Sequence, residues 1–375
     1  MRVLLDVSSV PEHPVGAGVY CVALAAGLAT RPDVDLVLAV RRGDADRWVA
    51  SAPGAEVLTE VPTRRPLRLA WEQVGAPALA RRARADVWHG PHYSMPLHLN
   101  APSVVTVHDL TFFDHPEWHE RAKVAYFRRM IVASAGRANV VVCVSRFTAD
   151  RLDEIAMPTG TRVVIPHGVD HARFQVLGDR GDDLARLARH GIRPPYVAFL
   201  STIQPRKNAP GLVAAFAMLA ARHPELRLVL AGGNGWGTEA LRLAIERSGV
   251  ATRILRPGHL PDDLVPAYLR RAAVVAYPSF EEGFGLPVLE ALACGAPVVT
   301  STGSALDEVA SGAALTAHPG DPAAIAAALE AALDETTATR LRAAGPLRAA
   351  EYTWERSVDA HVDAYRIATD RRRER

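Results

Sequence analysis

The stretch Ser279–Thr300 reads SFEEGFGLPVLEALACGAPVVT, and it decides how the rest of the chain is interpreted. Two carboxylates, Glu282 and Glu290, enclose the run GFGLPVL. Pro287 favours the first turn of a helix, because the N–H group that proline lacks has no intrahelical partner at that position. The pattern therefore predicts a loop that leads into a short helix over 288–293, followed by a buried strand.

The loop in front of this helix has the composition of an anion-binding site. Two glycines and a helix N-terminus direct several backbone N–H groups towards one point, where they favour negative charge. The loop residues predicted to bind phosphates in this way are Gly283, Phe284, Gly285 and Leu286. A carboxylate beside a phosphate would repel it, so we interpret Glu282 and Glu290 as acceptors for sugar hydroxyls that flank the phosphates. The alternative is a loop and helix whose acids only face solvent.

The run EGFGLPVLEALACGAPVV, with its two glutamates, resembles the signature of the retaining family 4 glycosyltransferases. The resemblance extends over nearly the whole chain and implies the GT-B fold. In that α/β fold two Rossmann-like, doubly wound domains face each other across a cleft, and a C-terminal helix crosses back to the first domain. We expect an acceptor-side domain over 1–178, a nucleotide-sugar donor domain over 179–353, and residues 354–375 packed back on the first domain.

Length and composition are those of a two-domain globular protein. The chain has 375 residues, of which 49% are hydrophobic and 22% charged, which supports two sizeable cores. The net charge of +2 indicates no nucleic-acid partner. Three cysteines without CxxC or metal spacing favour buried thiols in a reducing compartment. No apolar run approaches the roughly 18 residues of a membrane span, so we predict a cytoplasmic protein.

Short apolar runs alternate with longer helical patterns, which is typical of parallel sheets built from βαβ units. Two such series occur, and the segment 168–193 between them is rich in Gly, Asp and Arg. We interpret that segment as an inter-domain linker with an entry helix. The predicted strands are 2–7, 35–40, 85–89, 103–108, 139–145 and 162–166 in the first half, and 196–200, 226–231, 253–256, 273–277 and 297–300 in the second.

Two adjacent cations, Arg206 and Lys207, lie in the segment STIQPRKN between a strand and a helix. Fixed cations there stabilise the charge that grows on a leaving pyrophosphate more in the transition state than in the ground state. Family members have a matching PRKN or PRKG motif, whose lysine reaches the phosphates. Many also have a second phosphate-binding arginine after this strand, where the present chain has Ser201 and Thr202. The alternative for the two cations is a solvated turn.

Two segments of the first half are predicted to complete the site. Gly16 and Gly18 follow the first strand, and the resemblance implies a glycine loop that meets the donor phosphates and the acceptor. A flexible turn is the alternative. The resemblance also places His108 near the donor sugar, where a neutral imidazole donates to a hydroxyl or stabilises developing charge, and Asp109 orients the ring. The alternative for His108 is a structural hydrogen bond.

The sequence predicts no metal site and no cofactor other than the sugar nucleotide as co-substrate. His89 and His92 have no carboxylate or thiol partner at suitable spacing. The DxD match at 33–35 precedes its strand, whereas a metal-binding DxD follows one. Arginines cluster over Arg64–Arg84 around an amphipathic helix that Pro77 interrupts. A solvated helix face is one interpretation of that cluster, and peripheral contact with anionic lipid is the other.

The resemblance implies a metal-independent, retaining hexosyltransferase that uses a nucleotide diphosphate sugar and an acceptor hydroxyl of a glycan, a glycolipid or a small molecule. We expect mannose from GDP-mannose, because GAGVY, HGPHY and PRKN together resemble the mannosyltransferase-like branch. A UDP-glucose-type donor and a catalytically silent scaffold subunit are the alternatives. Because no carboxylate nucleophile is apparent in the first half, retention is expected to be front-side, with the leaving phosphate helping to deprotonate the acceptor.

Overall fold

The computed structural model describes the backbone of residues 1–373 and the side chains of residues 1–370. The chain divides into two compact units, Met1–Gly168 with the C-terminal helix, and Val169–Thr353. The sequence assigns residues 169–178 to the first domain, but they belong to the second unit. The reason is local bonding, since Val169 N–H donates to the Tyr352 carbonyl (3.2 Å) and Arg270 donates to the Gln175 carbonyl (2.9 Å).

The first unit contains a seven-stranded parallel sheet of strand order β3-β2-β1-β4-β5-β6-β7. Its strands are β1 (Arg2–Asp6), β2 (Asp35–Arg41), β3 (Glu56–Val61), β4 (Val87–Gly90), β5 (Ser103–Val107), β6 (Val140–Cys143) and β7 (Thr161–Val164). Its helices are α1 (Ala17–Ala29), α2 (Ala45–Ser51), α3 (Arg65–Arg82), α4 (Thr111–Asp114), α5 (Arg121–Ala135) and α6 (Arg146–Ile155).

Burial on both faces explains why these strands read as continuous apolar runs. In β1, Val3 and Leu5 pack into one core with Leu24 of α1, whereas Leu4 packs into a second core with Leu79 of α3. The alternation follows from the two-residue period of a strand, which sends successive side chains to opposite faces. Helices therefore cover both faces of the sheet.

The second unit contains a six-stranded parallel sheet of strand order β10-β9-β8-β11-β12-β13. Its strands are β8 (Tyr196–Leu200), β9 (Arg227–Ala231), β10 (Ile254–Gly258), β11 (Val274–Tyr277), β12 (Val298–Ser301) and β13 (Leu315–Ala317). Its helices are α7 (Arg180–Arg189), α8 (Ala209–Ala220), α9 (Thr238–Arg247), α10 (Val265–Arg270), α11 (Leu286–Ala293), α12 (Ala305–Ala310), α13 (Pro322–Leu333) and α14 (Glu335–Ala349).

The last helix, α15 (Trp354–Arg373), belongs to the first unit, as the resemblance implies. Its apolar side chains join the core that contains α1. Two buried polar contacts also attach it to β4 and to α1: Tyr365 Oη bonds Nδ1 of His89 on β4 (2.8 Å), and His361 Nε2 bonds Oη of Tyr20 on α1 (2.8 Å). The residues after Thr353 are therefore part of the first core.

The structure also contains elements that the sequence does not predict, among them helix α2 and strands β3 and β13. The sequence does not predict strand β3, because it is an edge strand that mixes polar and apolar residues (EVLTEV) and buries only Val61. Strand β13, of three residues, is too short to form an apolar run. Helix α3 continues through Pro77, which the sequence predicts to interrupt it. None of the helices within residues 1–373 is long and apolar enough to cross a bilayer.

The strand order changes direction at one place in each sheet. In the first sheet β1 pairs with β4, and in the second sheet β8 pairs with β11. Ligands of doubly wound sheets bind beyond the carboxyl ends of the strands at such a switch point. Ligands are therefore expected at the loops that follow these four strands.

Candidate active site

Three of the predicted residues meet at the switch point of the second sheet. Arg206 and Lys207 follow β8, and Glu282 follows β11. Arg206 Nη1 donates to Glu282 Oε2 (2.8 Å), and Lys207 Nζ pairs with the other oxygen of the same carboxylate. The pairing of β8 with β11 brings them together, although 75 residues separate Lys207 from Glu282.

This cluster is buried and carries an excess of positive charge. Glu282 is 6% exposed and Lys207 is 7% exposed. Burial by itself would raise the pKa of Glu282, but the charges of Arg206 and Lys207 outweigh it and lower that pKa to about 2. The carboxylate is thus ionised at neutral pH. Two cations against one anion leave a desolvated positive charge that favours a bound anion.

Hydrogen bonds fix the two loops that carry the cluster. Lys207 Nζ donates to Tyr277 Oη (2.6 Å), and the N–H group of Phe280 donates to the Arg206 carbonyl (2.8 Å). Ser301 Oγ donates to the Ser279 carbonyl. Tyr277 is a residue that the sequence reasoning missed. The sequence feature that could have indicated it is its position, because it is the one polar side chain and ends the otherwise apolar strand VVAY.

Asn208 explains the last letter of the PRKN segment. It adopts a left-handed backbone conformation (φ 55°) between a turn of 3-10 helix at Pro205–Lys207 and helix α8. Its side chain accepts from the Gly211 N–H group (3.2 Å) and donates to the Pro319 carbonyl (2.6 Å). Asparagine tolerates this conformation and caps helices well, so it sets the direction in which the two preceding cations point.

The helix after the signature loop is present and begins two residues earlier than predicted, at Leu286. Gly285 precedes it with φ +111°, and a Cβ atom at that position would lie 2.4 Å from Leu306 Cδ2. Only glycine fits both the conformation and the space. The loop Gly283–Leu286 thus leads into a helix N-terminus, and its phosphate-binding role stays a prediction.

Glu290 is separate from the cluster of Arg206, Lys207 and Glu282. It lies in α11, is partly buried, and accepts no hydrogen bond from any residue whose side chain the structure describes. Burial raises its pKa to about 7, with Arg173 opposing the rise and Asp262 adding to it. The two glutamates of the signature therefore differ chemically, because one is ionised and paired and the other is close to its titration point and open to a hydroxyl donor.

His108 lies directly after β5 in the first unit and is 7% exposed. Its Nε2 contacts the Pro91 carbonyl (2.8 Å). A carbonyl oxygen only accepts, so Nε2 carries the proton, while burial lowers the pKa of the ring and keeps it neutral. Nδ1 is then an acceptor. The predicted donation from His108 to a sugar hydroxyl is corrected by this tautomer: at Nδ1 the ring can only accept.

Burial lowers the pKa of His108 and the charge of Asp109 opposes this effect, but no hydrogen bond joins Asp109 to His108 among the described side chains. The Asp109 carboxylate accepts from the N–H group (3.3 Å) and the hydroxyl (2.9 Å) of Thr111, at the start of α4. The Pro91 carbonyl orients His108 in its place. The sequence could not show that Pro91 takes the place expected of Asp109, because Pro91 follows a different strand of the sheet.

The two predicted glycines of the first unit differ in their surroundings. Gly16 precedes α1 with φ +51°, and no atom lies within 4 Å of the position of an added Cβ. Gly18 is buried, and an added Cβ would lie 3.0 Å from Pro14 Cβ. Close packing therefore explains Gly18, whereas Gly16 leaves open space in front of the helix. Ligand binding by either glycine stays a prediction.

Two arginines of the Arg64–Arg84 region are bonded to neighbouring groups, and lipid contact by this region stays a prediction. Arg82 pairs with Glu60 on the neighbouring strand β3, and Arg68 donates to the Ser8 carbonyl (2.8 Å).

Among the side chains of residues 1–370, no group of three His, Cys, Asp or Glu is arranged to hold a metal ion.

Two family models match the chain. Residues 14–173 match the model described as Glycosyltransferase Family 4, and residues 187–348 match the model described as Glycosyl transferases group 1. The O-antigen chain mannosyltransferase B of Escherichia coli is 31% identical over 287 residues, which cover 75% of this chain and 74% of the relative. The D-inositol 3-phosphate glycosyltransferase of Salinispora arenicola is 39% identical over 236 residues, which cover 58% of this chain and 51% of the relative.

Solved structures of the same architecture cover almost the whole chain. The sucrose-phosphate synthase of Thermosynechococcus elongatus superposes with a TM-score of 0.79 at 22% identity, over 97% of this chain and 98% of that one. The Anabaena protein HepE, in complex with UDP and glucose, gives a TM-score of 0.79 at 20% identity, with the same coverage. At these identities the likeness shows the fold, and it confirms the prediction of two Rossmann-like α/β units.

Proposed function

The chain belongs to family 4 of the glycosyltransferases, and we propose that it is a retaining hexosyltransferase whose donor is a nucleotide diphosphate sugar. The cluster of Arg206, Lys207 and Glu282 carries the proposal. It places two cations and one ionised acceptor at the switch point of the second sheet, which is where this class of fold binds ligands.

In this proposal different groups of the chain bind different parts of the donor: the two cations and the loop backbone bind the pyrophosphate, and the two glutamates bind the sugars. Arg206 and Lys207 bind the pyrophosphate, together with the backbone of the loop Gly283–Leu286. Glu282, ionised and held beside the phosphates, accepts from hydroxyls of the donor sugar. Glu290, which accepts no hydrogen bond from the described side chains, accepts from the ribose hydroxyls. Each acceptor is matched to hydroxyl donors, and each cation to an anion.

The reaction follows from this arrangement. The bond between the anomeric carbon and the phosphate oxygen breaks, and negative charge grows on that oxygen. Fixed cations stabilise the growing charge without having to reorganise. The acceptor oxygen bonds to the same face of the sugar, and its proton passes to the leaving phosphate. His108, as an acceptor at Nδ1, is proposed to accept a hydrogen bond from a hydroxyl of the reacting sugar.

For the donor we propose GDP-mannose. The name of the Escherichia coli relative, a mannosyltransferase, supports this choice. The UDP and glucose in the HepE complex support a UDP-glucose-type donor as the alternative. A silent scaffold is disfavoured, because a subunit without chemistry has no need of a buried, charge-unbalanced cluster. We also propose a cytoplasmic location, which the three free, buried cysteines support.

A thermal-shift panel tests the donor site. The chain is melted with GDP, UDP, ADP and dTDP and their sugar conjugates, with and without Mg²⁺. A ligand that binds only the folded state raises the melting temperature. We expect one nucleotide family to raise it, equally with and without Mg²⁺. Lys207→Met should abolish the shift, whereas Arg227→Met, an exposed control in the same unit, should retain it. No shift with any nucleotide would refute the donor site.

A further inference from the structure

A chain of hydrogen bonds runs through the core of the first unit and connects helix α15 to helix α1. Its members, in order, are Tyr365, His89, Thr106, Tyr20 and His361, and each of these side chains is fully buried. His89 bonds Tyr365 Oη through Nδ1 (2.8 Å) and Thr106 Oγ1 through Nε2 (2.8 Å). Tyr20 Oη bonds Thr106 Oγ1 (3.0 Å) and His361 Nε2 (2.8 Å). The side chains therefore form one continuous network between α15, β4, β5 and α1.

A backbone carbonyl sets the direction of this network at its α15 end. His361 Nδ1 lies 2.7 Å from the Ser357 carbonyl, which only accepts, so Nδ1 carries the proton. Burial lowers the pKa of His361 to about 4, so the ring is neutral and Nε2 accepts from Tyr20 Oη. The single hydroxyl proton of Tyr20 is then used, and Thr106 Oγ1 has to donate to Tyr20 Oη. The hydroxyl of Tyr20 is thus held by two partners, one of which belongs to α15.

The ring of Tyr20 lies against the imidazole of His108. The two ring centroids are 5.2 Å apart and the ring planes meet at 73°, which is the edge-to-face arrangement that aromatic rings favour. The centroids of the other rings around His108 are farther from it, namely Tyr93 (5.6 Å), His167 (5.6 Å) and His92 (5.9 Å). Among the described side chains, Tyr20 therefore makes the closest ring contact of His108.

This contact matters because the ring of His108 has one hydrogen bond, from Nε2 to the Pro91 carbonyl (2.8 Å). One bond fixes which nitrogen carries the proton, but it leaves the imidazole able to pivot about that bond. Nδ1 accepts no hydrogen bond from any residue whose side chain the structure describes. The direction in which Nδ1 points is therefore set by the rings that enclose His108, and above all by Tyr20.

Attachment of α15 does not by itself require a polar network. Val358, Val362 and Ala368 of this helix already pack into the apolar core that contains α1. Burying polar groups costs free energy that their hydrogen bonds only offset, so apolar side chains of the same shape would attach the helix as well. The network adds rigidity, because a buried network whose members are all satisfied holds each side chain in one position.

We propose that helix α15 positions His108 through Tyr20. His361 holds the Tyr20 ring by its hydroxyl, and the Tyr20 ring holds the imidazole so that Nδ1 meets a hydroxyl of the reacting sugar in a fixed direction. Tyr20 and His361 are thus positioning residues, which act through His108. That Nδ1 meets the donor sugar rests on the proposed function, whereas the placement of the ring does not.

Two matched variants separate positioning from attachment of the helix. Tyr20→Phe removes the hydroxyl that donates to His361, and Tyr365→Phe removes the hydroxyl that bonds His89. Each variant deletes one buried bond of 2.8 Å between a tyrosine and a histidine, and each weakens the attachment of α15. Of the two tyrosines, Tyr20 is the one whose ring contacts His108. Both variants should therefore lower the melting temperature, but only Tyr20→Phe should disturb His108.

NMR spectra of the histidine ring nitrogens, recorded on the isotope-labelled full chain, report on His108 directly, and His108→Gln identifies its signals. We expect the wild type to show the tautomer with the proton on Nε2. Tyr20→Phe should give a mixture of both tautomers and lower kcat about 10-fold at an unchanged KM for the sugar nucleotide, because small misplacements of a group at the reacting centre slow the reaction. Tyr365→Phe should keep the wild-type tautomer and kcat.

A second pair of variants covers the case in which Tyr20→Phe does not fold. His361→Gln retains an oxygen that accepts from Tyr20 and should preserve the tautomer and kcat better than His361→Leu. The proposal is overturned if Tyr20→Phe keeps the wild-type tautomer, if Tyr20→Phe and Tyr365→Phe lose turnover alike, or if both His361 variants behave alike. A changed tautomer with wild-type turnover overturns the role in transfer. The spectra need no nucleotide, so failure of the donor site and failure of the positioning are separate results.

Discussion

The substitution Glu282→Gln tests how the cationic cluster is balanced. In the structure this carboxylate is shared by Arg206, whose Nη1 lies 2.8 Å from Oε2, and by Lys207. An entering pyrophosphate has to compete with it for the same two cations. Glutamine keeps the shape of the side chain and removes the charge. We therefore expect the variant to bind the free nucleoside diphosphate more tightly than the wild type does.

The size of the gain follows from the pKa of Glu282. Arg206 and Lys207 lower it from the ordinary 4.5 to about 2 against the effect of burial. One pKa unit corresponds to about 1.4 kcal/mol, so the cations favour the ionised carboxylate by a net of about 3 kcal/mol. We take this net value as the scale of the free energy that a phosphate gains when the competing charge is removed. The glutamine oxygen still accepts a hydrogen bond, so we expect a gain of about half of this free energy, which corresponds to roughly a 10-fold rise in affinity.

Titration calorimetry with the nucleoside diphosphate that the wild type binds measures this gain. Glu225→Gln, an exposed substitution in the same unit, gives the same change in net charge and should leave the affinity unaltered. Turnover of the sugar nucleotide should move in the opposite direction. Loss of a hydrogen bond to a charged acceptor costs about 1.5–3 kcal/mol, so we expect a loss of roughly 10- to 100-fold. Equal or weaker nucleotide binding by a folded Glu282→Gln variant would refute the competition.

Three further predictions concern other parts of the fold. Lys207→Met should lower turnover by about 10²–10³-fold, because it removes a fixed charge from the leaving phosphate, as measured by release of the nucleoside diphosphate. Gly285→Ala should lower the melting temperature more than Gly303→Ala, because both have positive φ but only the former meets a neighbour, at 2.4 Å; equal losses would argue against the steric account. The pKa of His361 is lowered by burial from 6.5 to about 4. The unfolded chain therefore binds the proton first as the pH falls, and stability present above pH 6.5 is lost towards pH 4, by up to about 3 kcal/mol. His361→Gln should flatten this part of the pH profile of thermal unfolding, and an unchanged slope would contradict it.

The residues that the sequence predicted best are those whose reasons are local. The alternation of apolar runs and helical patterns predicted two parallel α/β units, because strand and helix periods are properties of neighbouring residues. Pro287 and the glycines around it predicted the loop and helix of the signature for the same reason, since each acts on its own backbone. Edge strand β3 escaped because its residues are only half-buried and so have no apolar run.

What the tertiary structure decided depends on strand order, which no local pattern records. Pairing of β8 with β11 gave Glu282 its two cations and therefore its low pKa. The loop after β4 places the Pro91 carbonyl, and not Asp109, at Nε2 of His108. Nε2 donates to that carbonyl, so the ring can only accept a hydrogen bond from a sugar hydroxyl at Nδ1, where donation was expected. Pairing of β1 with β4 brought Asp6 and Ser94, which are far apart in the chain, to the walls of one cavity. The sequence by itself determined which residues carry charge and where the chain turns; the packing of the sheets decided which charges meet, because electrostatic partners are set by distance in space.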